Sequence, residues 1–386
     1  MKKASDKANV VINRLCENGY EAYLVGGCVR DMLSGKTPHD FDITTNALPD
    51  EIKAVFEKTV DTGLKHGTVT VIVDDTPIEV TTYRSDGEYL DMRRPERVKF
   101  VSDLKEDLAR RDFTVNAMAY NEIEGVVDYF GGKEDLEKGI LRAVGDPEKR
   151  FNEDALRIMR LVRFASVLGF TPEEKTFAAA KKLCKNLKNI SGERIWAEFS
   201  KLLSGNYPDA VREIIALGGL EYFGITGDKS LKVIARLPQK TELRFFAFCR
   251  ILDIDTETVI KKLKIKNSIK NYCEKCDAAT FLDENSDDFN IKTALEVAGT
   301  QAVSDIIDYK TIIERADLSG IRKRAERILR SAEPYRISDL KLNGNDLLAL
   351  GYSGKEIGRI LKELCDTVKR DPEKNRKEAL IFIAKK

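Results

Sequence analysis

The pattern of hydrophobic and polar positions changes near residue 145. Before that point, TVTVIV and IEVTTY place β-branched residues at alternating positions around the turn DDTP, which predicts two paired strands. AYLV and FDIT predict two further strands, and CVRDML, closed by Gly35, predicts a helix between them. LKEDLARR predicts a helix that Asp103 opens, with Glu106 completing a capping box. We therefore expect an α/β domain over the first 145 residues.

From Asp146 onward, apolar residues recur at helical spacing and no strand pattern is recognisable. Four segments show this spacing most clearly, with Gly and Pro between them: NEDALRIMRLVRFASVLG, GERIWAEFSKLLSG, SDIIDYKTIIERA and GKEIGRILKELCDTV. The fold class predicted from the pattern is therefore α+β, with an α/β N-terminal part followed by an all-α remainder.

The composition is that of a globular protein, since 42% of the 386 residues are hydrophobic and 33% are charged. A chain of this length usually forms two or more domains. It has no apolar run of the roughly 18 residues that a membrane span needs, and its start, MKKASDKANV, lacks the apolar core of a signal peptide. The odd number of seven cysteines fits a reducing compartment. We expect a cytoplasmic protein without a membrane partner.

Carboxylates and arginines must supply most of the chemistry, because the chain has only two histidines, His39 and His66. Cys273 and Cys276 form a C-x-x-C with no second pair or histidine nearby, which favours two helix-borne thiols over a structural zinc site. The net charge of +1 gives no general attraction to nucleic acid, so a polyanionic partner would need local basic surfaces.

Asp40 and Asp42 lie two residues apart in a predicted strand, so their side chains share a face. Two carboxylates on one face can hold divalent cations for phosphoryl transfer, and Mg²⁺ suits them because it also takes waters and substrate phosphates as ligands. Glu79 alternates with Ile78 and Val80, which makes it a candidate third carboxylate. The alternatives are a strand whose outer face is merely acidic and an exposed strand glutamate without a role.

Gly26 and Gly27 lie between a predicted buried strand and a helix, where the backbone can approach a phosphate and free N–H groups can bind it. Arg30 follows in the first turns of the helix. Its guanidinium could bind phosphate oxygens bidentately or could pair with Asp31 or Glu21. The segment is neither a P-loop nor a dinucleotide fingerprint, because it lacks both G-K-[ST] and G-x-G-x-x-G.

Three segments together resemble the class II tRNA nucleotidyltransferases, which comprise the CCA-adding enzymes and the related bacterial poly(A) polymerases. LVGGCVRDMLSGKTPHDFDITT resembles the first motif of this family, and RRDFTVNAMAY at 110–120 resembles the second. RFNEDALRIMRLVRFA at 150–165 contains EDALR, which is similar to the family's E-D-x-x-R nucleotide-recognition motif. GERIWAEFSKLL resembles a later helical motif. The shared order over about 140 residues is much more specific than any one motif.

The resemblance implies a nucleotidyltransferase-type α/β head with a mixed sheet at 1–145 and a helical neck for base recognition at 146–205. It also implies a helical body at 206–310 and a helical tail that binds tRNA at 311–386. The implied reaction is attack of a tRNA 3′-hydroxyl on the α-phosphate of CTP or ATP, with release of pyrophosphate and without a nucleic-acid template. The implied partners are tRNA, ATP and CTP, and not DNA.

The same resemblance assigns site residues. Asp40 and Asp42 would bind Mg²⁺, and Glu79 would be the third catalytic carboxylate. The nucleotide would contact one glycine, one aspartate and five arginines: Gly27, Arg30, Arg111, Asp154, Arg157, Arg160 and Arg163. The first three of these would contact chiefly its phosphates.

Asp154 and Arg157 are the residues expected to select the base. With Asn152 as N-cap, they lie three residues apart near the start of a helix. Cytosine and adenine offer an amine beside an unprotonated ring nitrogen, so a carboxylate can accept from one and a guanidinium can donate to the other. Uracil and guanine would leave both groups unpaired. Arg160 and Arg163 extend the series toward base, ribose or phosphate, and the alternative is a solvated Asp154–Arg157 surface pair.

Several features leave the exact activity open. SDGEYLDMRRPERVKF at 85–100 lies where the family has a flexible loop implicated in the change from C to A addition, which favours complete CCA addition. KKLKIKNSIK and IRKRAERILR could neutralise tRNA phosphates or could be solvated helix faces. LGYSGKEIG could dock a phosphate or could only cap a helix. His66 matches a family pattern but has no assignable chemical role.

Two other functions remain open at this stage. The first is a poly(A) polymerase, or a partial CC- or A-adding enzyme, on the same scaffold. The second is a non-catalytic RNA-binding helical scaffold, against which the complete set of Asp40, Asp42 and Arg111 argues. The oligomeric state, monomer or homodimer, does not follow from the sequence.

Overall fold

The chain folds into two compact units, Met1–Lys229 and Ser230–Lys386. A computed structural model describes residues 2–38, 40–64, 67–86 and 98–385. His39, His66 and most of the predicted flexible loop at 85–100 lie outside these described residues. None of the described helices is both long and apolar enough to cross a membrane.

A mixed sheet of seven strands forms the centre of the N-terminal unit, as the family resemblance implies. The strands of this unit are β1 (Ala22–Val25), β2 (Asp42–Thr45), β3 (Thr59–Gly63), β4 (Thr68–Val73), β5 (Thr76–Thr82), β6 (Arg84–Asp86), β7 (Val98–Phe100), β8 (Met118–Asn121), β9 (Gly125–Asp128), β10 (Ile140–Leu141) and β11 (Thr171–Pro172). The order in the main sheet is β3-β4-β5-β2-β1-β8-β9. β2 and β5 run parallel, while the other neighbours in this sheet run antiparallel.

Helices cover both faces of this sheet and continue beyond it. They are α1 (Lys2–Glu17), α2 (Gly27–Leu33), α3 (Pro49–Val55), α4 (Leu104–Ala109), α5 (Gly132–Lys138), α6 (Pro147–Glu153), α7 (Leu156–Leu168), α8 (Glu174–Leu183), α9 (Gly192–Ser204) and α10 (Arg212–Ala216). On one face, Val11 of α1 packs in a core with Ile43 and Val80 of the sheet. On the other face, Tyr23 of β1 packs with Leu104 of α4. The central strands of the sheet are therefore packed on both faces.

The N-terminus of α4 confirms Asp103 as its cap but does not show the capping box expected with Glu106. The Asp103 carboxylate accepts a hydrogen bond from the backbone N–H of Lys105 at 2.9 Å. Such a bond satisfies one of the backbone donors that a helix leaves unpaired at its start.

Two local expectations for the segment after residue 145 are wrong. Thr171–Pro172 is a short strand that pairs in parallel with Ile140–Leu141, although no strand was expected there. Two-residue strands are too short to show the alternation from which strands are recognised. Asn152 is not an N-cap, because it lies inside α6.

The actual cap of α6 is Asp146, whose carboxylate accepts from the N–H of Lys149 at 2.8 Å, with Pro147 in the first turn. The helix ends at Asp154, whose extended backbone separates α6 from α7. The Asp154 carboxylate then accepts from the N–H of Leu156 at 3.0 Å. Asp154 therefore lies at a break between two helices, where its side chain also organises the start of α7.

The C-terminal unit is helical throughout its described elements, which confirms the all-α expectation. Its helices are α11 (Thr241–Leu252), α12 (Thr256–Leu263), α13 (Asn267–Ala279), α14 (Asp288–Tyr309), α15 (Ser319–Arg330), α16 (Gly344–Ala349), α17 (Lys355–Arg370) and α18 (Lys377–Ala384). α14 is interrupted at Gly299, where φ is +83°. A π-helical turn, Lys310–Glu314, follows it.

Buried lysines connect α14 with α17 in this unit. The Lys292 ammonium donates to the backbone carbonyl of Lys369 at 3.0 Å and pairs with Glu333 at 2.7 Å. Lys369 in turn pairs with Glu296 and Asp366. These contacts join segments on both sides of residue 310, the boundary expected between body and tail.

Cys273 and Cys276 both lie on α13 and are buried. Burial raises the pKa of the Cys276 thiol to about 12. Burial also raises the pKa of the Cys273 thiol, so both thiols are protonated near neutral pH. This agrees with the interpretation of the C-x-x-C as two helix-borne thiols.

Candidate active site

The parallel pairing of β2 and β5 aligns Asp42 with Glu79. The next pair in register, Ile43 and Val80, is buried in the core on the opposite face. Because neighbouring strands lie about 4.8 Å apart, the two carboxylates stand side by side on the exposed face. Asp40, also exposed, lies two residues before Asp42 but outside the strand, which begins at Asp42, so the expected shared strand face of the two aspartates is wrong. The structure thus places two of the three carboxylates that the sequence singled out side by side, and the charge of the third, Asp40, acts on Asp42.

The surroundings of Asp42 favour a bound cation. Its carboxylate keeps solvent access but is crowded by protein, and this partial desolvation, with the negative charges of Glu79 and Asp40, raises its pKa. Arg111 opposes the rise. A cation beside Asp42 would relieve the repulsion among the carboxylates.

The donor set matches a hard divalent cation, because all the candidate ligands are carboxylate oxygens. Within the described parts of the chain, no group of three or more His, Cys, Asp or Glu side chains is placed to hold a metal ion by itself. Mg²⁺ does not need such a group, since it usually takes one or two carboxylates together with waters and substrate phosphates. The residues present therefore fit such an ion.

A sharp turn between β1 and α2 lies next to the half-buried Arg111. Gly26 has φ +78° and ψ −131°, a conformation open in practice only to glycine. A Cβ atom at Gly26 would lie 3.2 Å from Nη1 of Arg111. Gly27 begins α2, so free backbone N–H groups occur at this turn. The turn and Arg111 together form a cradle suited to an anion.

Arg111 has an unused donor in this cradle. Its Nη2 donates to Asp107 at 3.2 Å, whereas its buried Nε has no hydrogen-bond partner. Burial lowers the pKa of Arg111, and the Asp107 carboxylate opposes that shift. Buried donors are rarely left unsatisfied without a functional reason. A phosphate oxygen at the cradle would supply the missing acceptor.

Arg30 is engaged within the protein. Its Nη1 donates to the side-chain oxygen of Asn116 at 2.7 Å, and its Nε and Nη2 donate to Asp31 at 2.9 and 2.8 Å. The pairing with Asp31 is one of the alternatives that the sequence left open. Arg30 is only 8% exposed, so in this structure it supports the cradle through these bonds and does not present its guanidinium to solvent. A Cβ atom at Gly27 would lie 3.6 Å from Nη2 of Arg30.

Three guanidinium groups gather around the ring of Phe164 on α7. Those of Arg30, Arg160 and Arg163 lie 5.4, 5.4 and 3.7 Å from its centroid. The Phe164 ring also packs edge-on against Phe113 at 5.9 Å. Aromatic faces attract cations, so this ring lets like-charged side chains approach one another.

Acidic residues neutralise this cluster. Asp112 accepts from Nε of Arg160 at 2.7 Å and from the amide of Asn116 at 3.2 Å. Glu198 of α9 lies 3.5 Å from Arg160 and 2.5 Å from Arg163. Burial alone would raise the pKa of Asp112, but Arg160 and the hydrogen bond from Asn116 lower it below its ordinary value. Arg160 thus joins α7 to Asp112 and to α9, and Arg163 joins α7 to α9, instead of forming the ridge expected from their spacing.

Asp154 and Arg157 are close in sequence but have different partners. Arg194 of α9 donates to Asp154 at 2.7 Å. The Arg157 guanidinium donates to Glu153 at 2.6 Å and to the backbone carbonyls of Arg150 and Arg110. The alternative of a solvated Asp154–Arg157 pair is therefore wrong, because Arg157 is buried.

Sequence reasoning missed six residues that hold this site together: Asp107, Asp112, Asn116, Phe164, Arg194 and Glu198. All of them lie in segments recognised as motifs or as a helix start, so a local signal existed. The spacing of Arg194 and Glu198 places them one turn apart on α9, toward α7. Their acceptors and donors lie about 40 residues away in the chain, which spacing alone does not reveal.

The basic segments of the C-terminal unit are partly neutralised within that unit. Arg322 pairs with Asp308 at 2.7 Å, and Lys270 pairs with Glu257 at 3.1 Å. Arg327 pairs with Asp288. These contacts reduce the charge available for an RNA backbone, but exposed ion pairs are weak and exchange readily.

Two family models match ranges within the N-terminal unit. The family model described as the poly A polymerase head domain matches residues 22–142. The model described as the probable RNA and SrmB-binding site of polymerase A matches residues 169–223. These ranges include β1 to β10 and α8 to α10.

Known proteins are also similar to this chain over almost its whole length. A CCA-adding enzyme from Ligilactobacillus salivarius is 38% identical over 404 residues, covering 98% of this chain and 96% of the relative. One from Lactococcus lactis subsp. cremoris is 38% identical with the same coverage. The crystal structure of the Bacillus stearothermophilus CCA-adding enzyme in complex with CTP matches with a TM-score of 0.86 and 31% identity. This match covers 100% of this chain and 98% of that one.

Proposed function

The chain belongs to the family of CCA-adding enzymes, which are tRNA nucleotidyltransferases, and we propose which of its residues carry out the reaction. The enzyme adds C, C and A to the 3′ end of tRNA in maturation and repair, using CTP and ATP. The observation that carries the assignment of residues is the alignment of Asp42 with Glu79 beside Arg111 and the Gly26 turn. It combines metal ligands and an anion cradle in one place.

Membership of the family implies a requirement for a divalent metal, and we infer Mg²⁺ as the ion. Asp40 and Asp42 would hold it, with Glu79 beside them. Bound there, the ion would neutralise developing charge on the transferred phosphate and lower the pKa of the attacking hydroxyl. Asp42 keeps solvent access, so its oxygens are open to such an ion.

The triphosphate would lie in the cradle. Gly27 would offer backbone N–H groups from the start of α2, and Arg111 would direct its guanidinium at the phosphate oxygens. Arg30 would act chiefly through its bonds to Asp31 and Asn116, which fix α2. These groups orient the α-phosphate for attack by the tRNA 3′-hydroxyl, and most of the catalytic effect comes from positioning and charge stabilisation.

Asp154 and Arg157 are proposed to read the base. Asp154 would accept from the exocyclic amine, and Arg157 would donate to the unprotonated ring nitrogen. Reading requires each residue to share or exchange the bonds it now makes, that of Asp154 to Arg194 and that of Arg157 to Glu153. Arg160 and Arg163 support this helix through Asp112 and Glu198.

We further propose tRNA, CTP and ATP as partners and the cytoplasm as the location. The relative solved with CTP supports the nucleotide assignment. The division into a neck at 146–205, a body at 206–310 and a tail at 311–386 remains a proposal, with tRNA bound by the tail.

The assignment of the metal site is tested with Asp42→Asn, which keeps the shape of the side chain and removes its charge. We expect incorporation of CMP into tRNA lacking CCA to fall about a hundredfold to a thousandfold, because a metal supplies several kcal/mol to such a transition state. Binding of the tRNA, measured by filter retention, should remain within about twofold.

Asp75→Asn is the matched control, since Asp75 is an exposed aspartate in the turn between β4 and β5. It should incorporate CMP at the rate of the unaltered protein. Incorporation by Asp42→Asn that equals that of Asp75→Asn would refute the metal role.

A further inference from the structure

One fully buried carboxylate, that of Asp107 on α4, accepts hydrogen bonds from three parts of the chain: the segment directly after α4, β6 and β2. Its side chain has 0% exposure. Its Oδ1 accepts from Nε and Nη2 of Arg110 at 3.0 and 2.8 Å and from the backbone N–H of Arg84 at 3.3 Å. Its Oδ2 accepts from Nη2 of Arg111 at 3.2 Å. Arg84 begins β6, the strand that leads toward the predicted flexible loop.

The same Oδ2 atom also reaches the catalytic strand. The hydroxyl of Thr44 lies 3.2 Å from it and 3.3 Å from the carbonyl of Thr81, so one proton is shared between two acceptors. Thr44 lies two residues after Asp42 on β2 and is fully buried on the face that Asp42 occupies. Asp107 therefore connects Arg111 to the strand that carries the proposed metal ligands.

Charge explains why a carboxylate is needed at this point. Arg110 and Arg111 are adjacent in sequence and both direct a guanidinium group at Asp107. Burial alone would raise the pKa of Asp107, but the two arginines lower it below the ordinary value, so the group is ionised. Without this negative charge, the two guanidinium groups would repel each other, and Arg111 would lose its anchored position.

The contacts of Asp107 also reach α7, the helix that carries Arg157. The backbone carbonyl of Arg110, whose side chain Asp107 holds, accepts from Nη2 of Arg157 at 3.0 Å. The segment around Arg110 thus lies between the phosphate contact and one of the base contacts.

We propose that Asp107 is the positioning residue that sets Arg111 in the phosphate cradle relative to the strand carrying Asp42. The proposal rests on the proposed function of Arg111 as a phosphate contact. Asp107 does not touch the nucleotide itself, because its carboxylate is enclosed by its donors.

The first test is Asp107→Asn in the full chain, compared with Asp103→Ala. The second variant removes the cap of the same helix and leaves all contacts of Asp107 in place. We expect Asp107→Asn to lower kcat/KM for both CTP and ATP about tenfold to a hundredfold, as expected for lost hydrogen bonds to charged groups. Its KM for tRNA should stay within about twofold.

Asp103→Ala should leave the nucleotide kinetics within about twofold, although it loosens the helix. A loss with Asp103→Ala equal to that with Asp107→Asn would overturn the proposal, since both would then act only through the stability of α4. An equal rise in KM for tRNA and for nucleotide in Asp107→Asn would also overturn it.

A double-mutant cycle with Arg111→Lys separates this proposal from the proposed function. If Asp107 acts through Arg111, adding Asp107→Asn to Arg111→Lys should cost much less than it costs alone. Strictly additive losses would overturn the positioning role while leaving Arg111 as a phosphate contact. Nucleotide kinetics unaffected by Arg111→Lys would instead refute the proposed function of Arg111.

Thr44→Val provides a second route if Asp107→Asn does not accumulate as folded protein. It removes one donor to Oδ2 and keeps the volume of the side chain. We expect a rise of about threefold to tenfold in KM for CTP and ATP, with KM for tRNA unchanged. An unchanged KM for nucleotide in a folded Thr44→Val protein would overturn the proposal.

Discussion

Asp112 holds two cationic side chains beside the phosphate cradle, one directly and one through an amide. It pairs with Arg160 of α7, and it accepts from Asn116, whose oxygen in turn accepts from Arg30. The ring of Phe164 lies under both guanidinium groups. A buried charge held this way stabilises the fold only while its partners remain in place.

The charge of Asp112 should make stability depend on pH. Its pKa in the folded protein lies below the unfolded value of about 3.9. Its contribution is therefore complete above about pH 4 and is lost as the pH falls through the folded pKa. We expect Asp112→Asn to lower the free energy of unfolding by about 2 to 3 kcal/mol at pH 7.

This deficit should shrink as the pH falls below about 4, because the unaltered protein then loses the same charge. Urea denaturation of both proteins at a series of pH values from 7 down to about 3 measures it. A deficit that stays constant over the whole series would show that the charge of Asp112 does not contribute.

The arginines of α7 show where sequence reasoning reaches its limit at the scale of residues. The spacing of Arg157, Arg160 and Arg163 correctly placed them on one helix, but the ridge expected from it does not form, because Arg157 bonds to Glu153 while Arg160 and Arg163 pair with Glu198. It did not indicate burial or partners, because Glu198 and Asp112 come from other segments. By contrast, the pairing of Arg30 with Asp31 was a foreseeable alternative, since the two residues are adjacent.

At the scale of elements, the turn between β1 and α2 defines the cradle. Gly26 combines a positive φ with a strongly negative ψ, and its missing side chain gives Arg111 room. Gly27, the next residue, has neither constraint, because a Cβ there would make only ordinary contact with Arg30 at 3.6 Å. The two glycines therefore have different structural reasons to be present.

Alanine substitutions should separate these reasons. We expect Gly26→Ala to lower the free energy of unfolding by about 1 to 3 kcal/mol, the usual cost of such a backbone conformation in a residue with a Cβ. Gly27→Ala should change it by less than about 0.5 kcal/mol, because alanine is favourable in a helix. Urea midpoints of the two variants provide the comparison, and equal losses would contradict the conformational explanation.

Elements with a strong period were predictable, and their pairing was not. Alternating β-branched residues gave the strands that became β4 and β5, and the helical period gave α9 and α17. The alignment of Asp42 with Glu79 depends on register between strands that are more than 30 residues apart, which local pattern does not encode. The β10–β11 pair was missed because each strand has only two residues.

At the scale of the whole molecule, the sequence correctly indicated a mixed-sheet unit followed by helices. The two compact units meet in sequence at residues 229 and 230, whereas the motif resemblance suggested finer boundaries. Buried Lys292 and Lys369 connect helices across residue 310 because their ammonium groups need partners once removed from water. Such long-range pairing of charges within a helical unit has no signature in local composition.

The most direct test of complete CCA addition uses the purified protein and a tRNA that lacks its three terminal nucleotides. The tRNA is incubated with Mg²⁺ and CTP, ATP or both, and the products are resolved at single-nucleotide length and sequenced. We expect two added residues with CTP alone, C, C and A with both, and termination after A. Long A tracts with ATP, or arrest after C and C with both nucleotides present, would contradict the assignment of a complete CCA-adding activity.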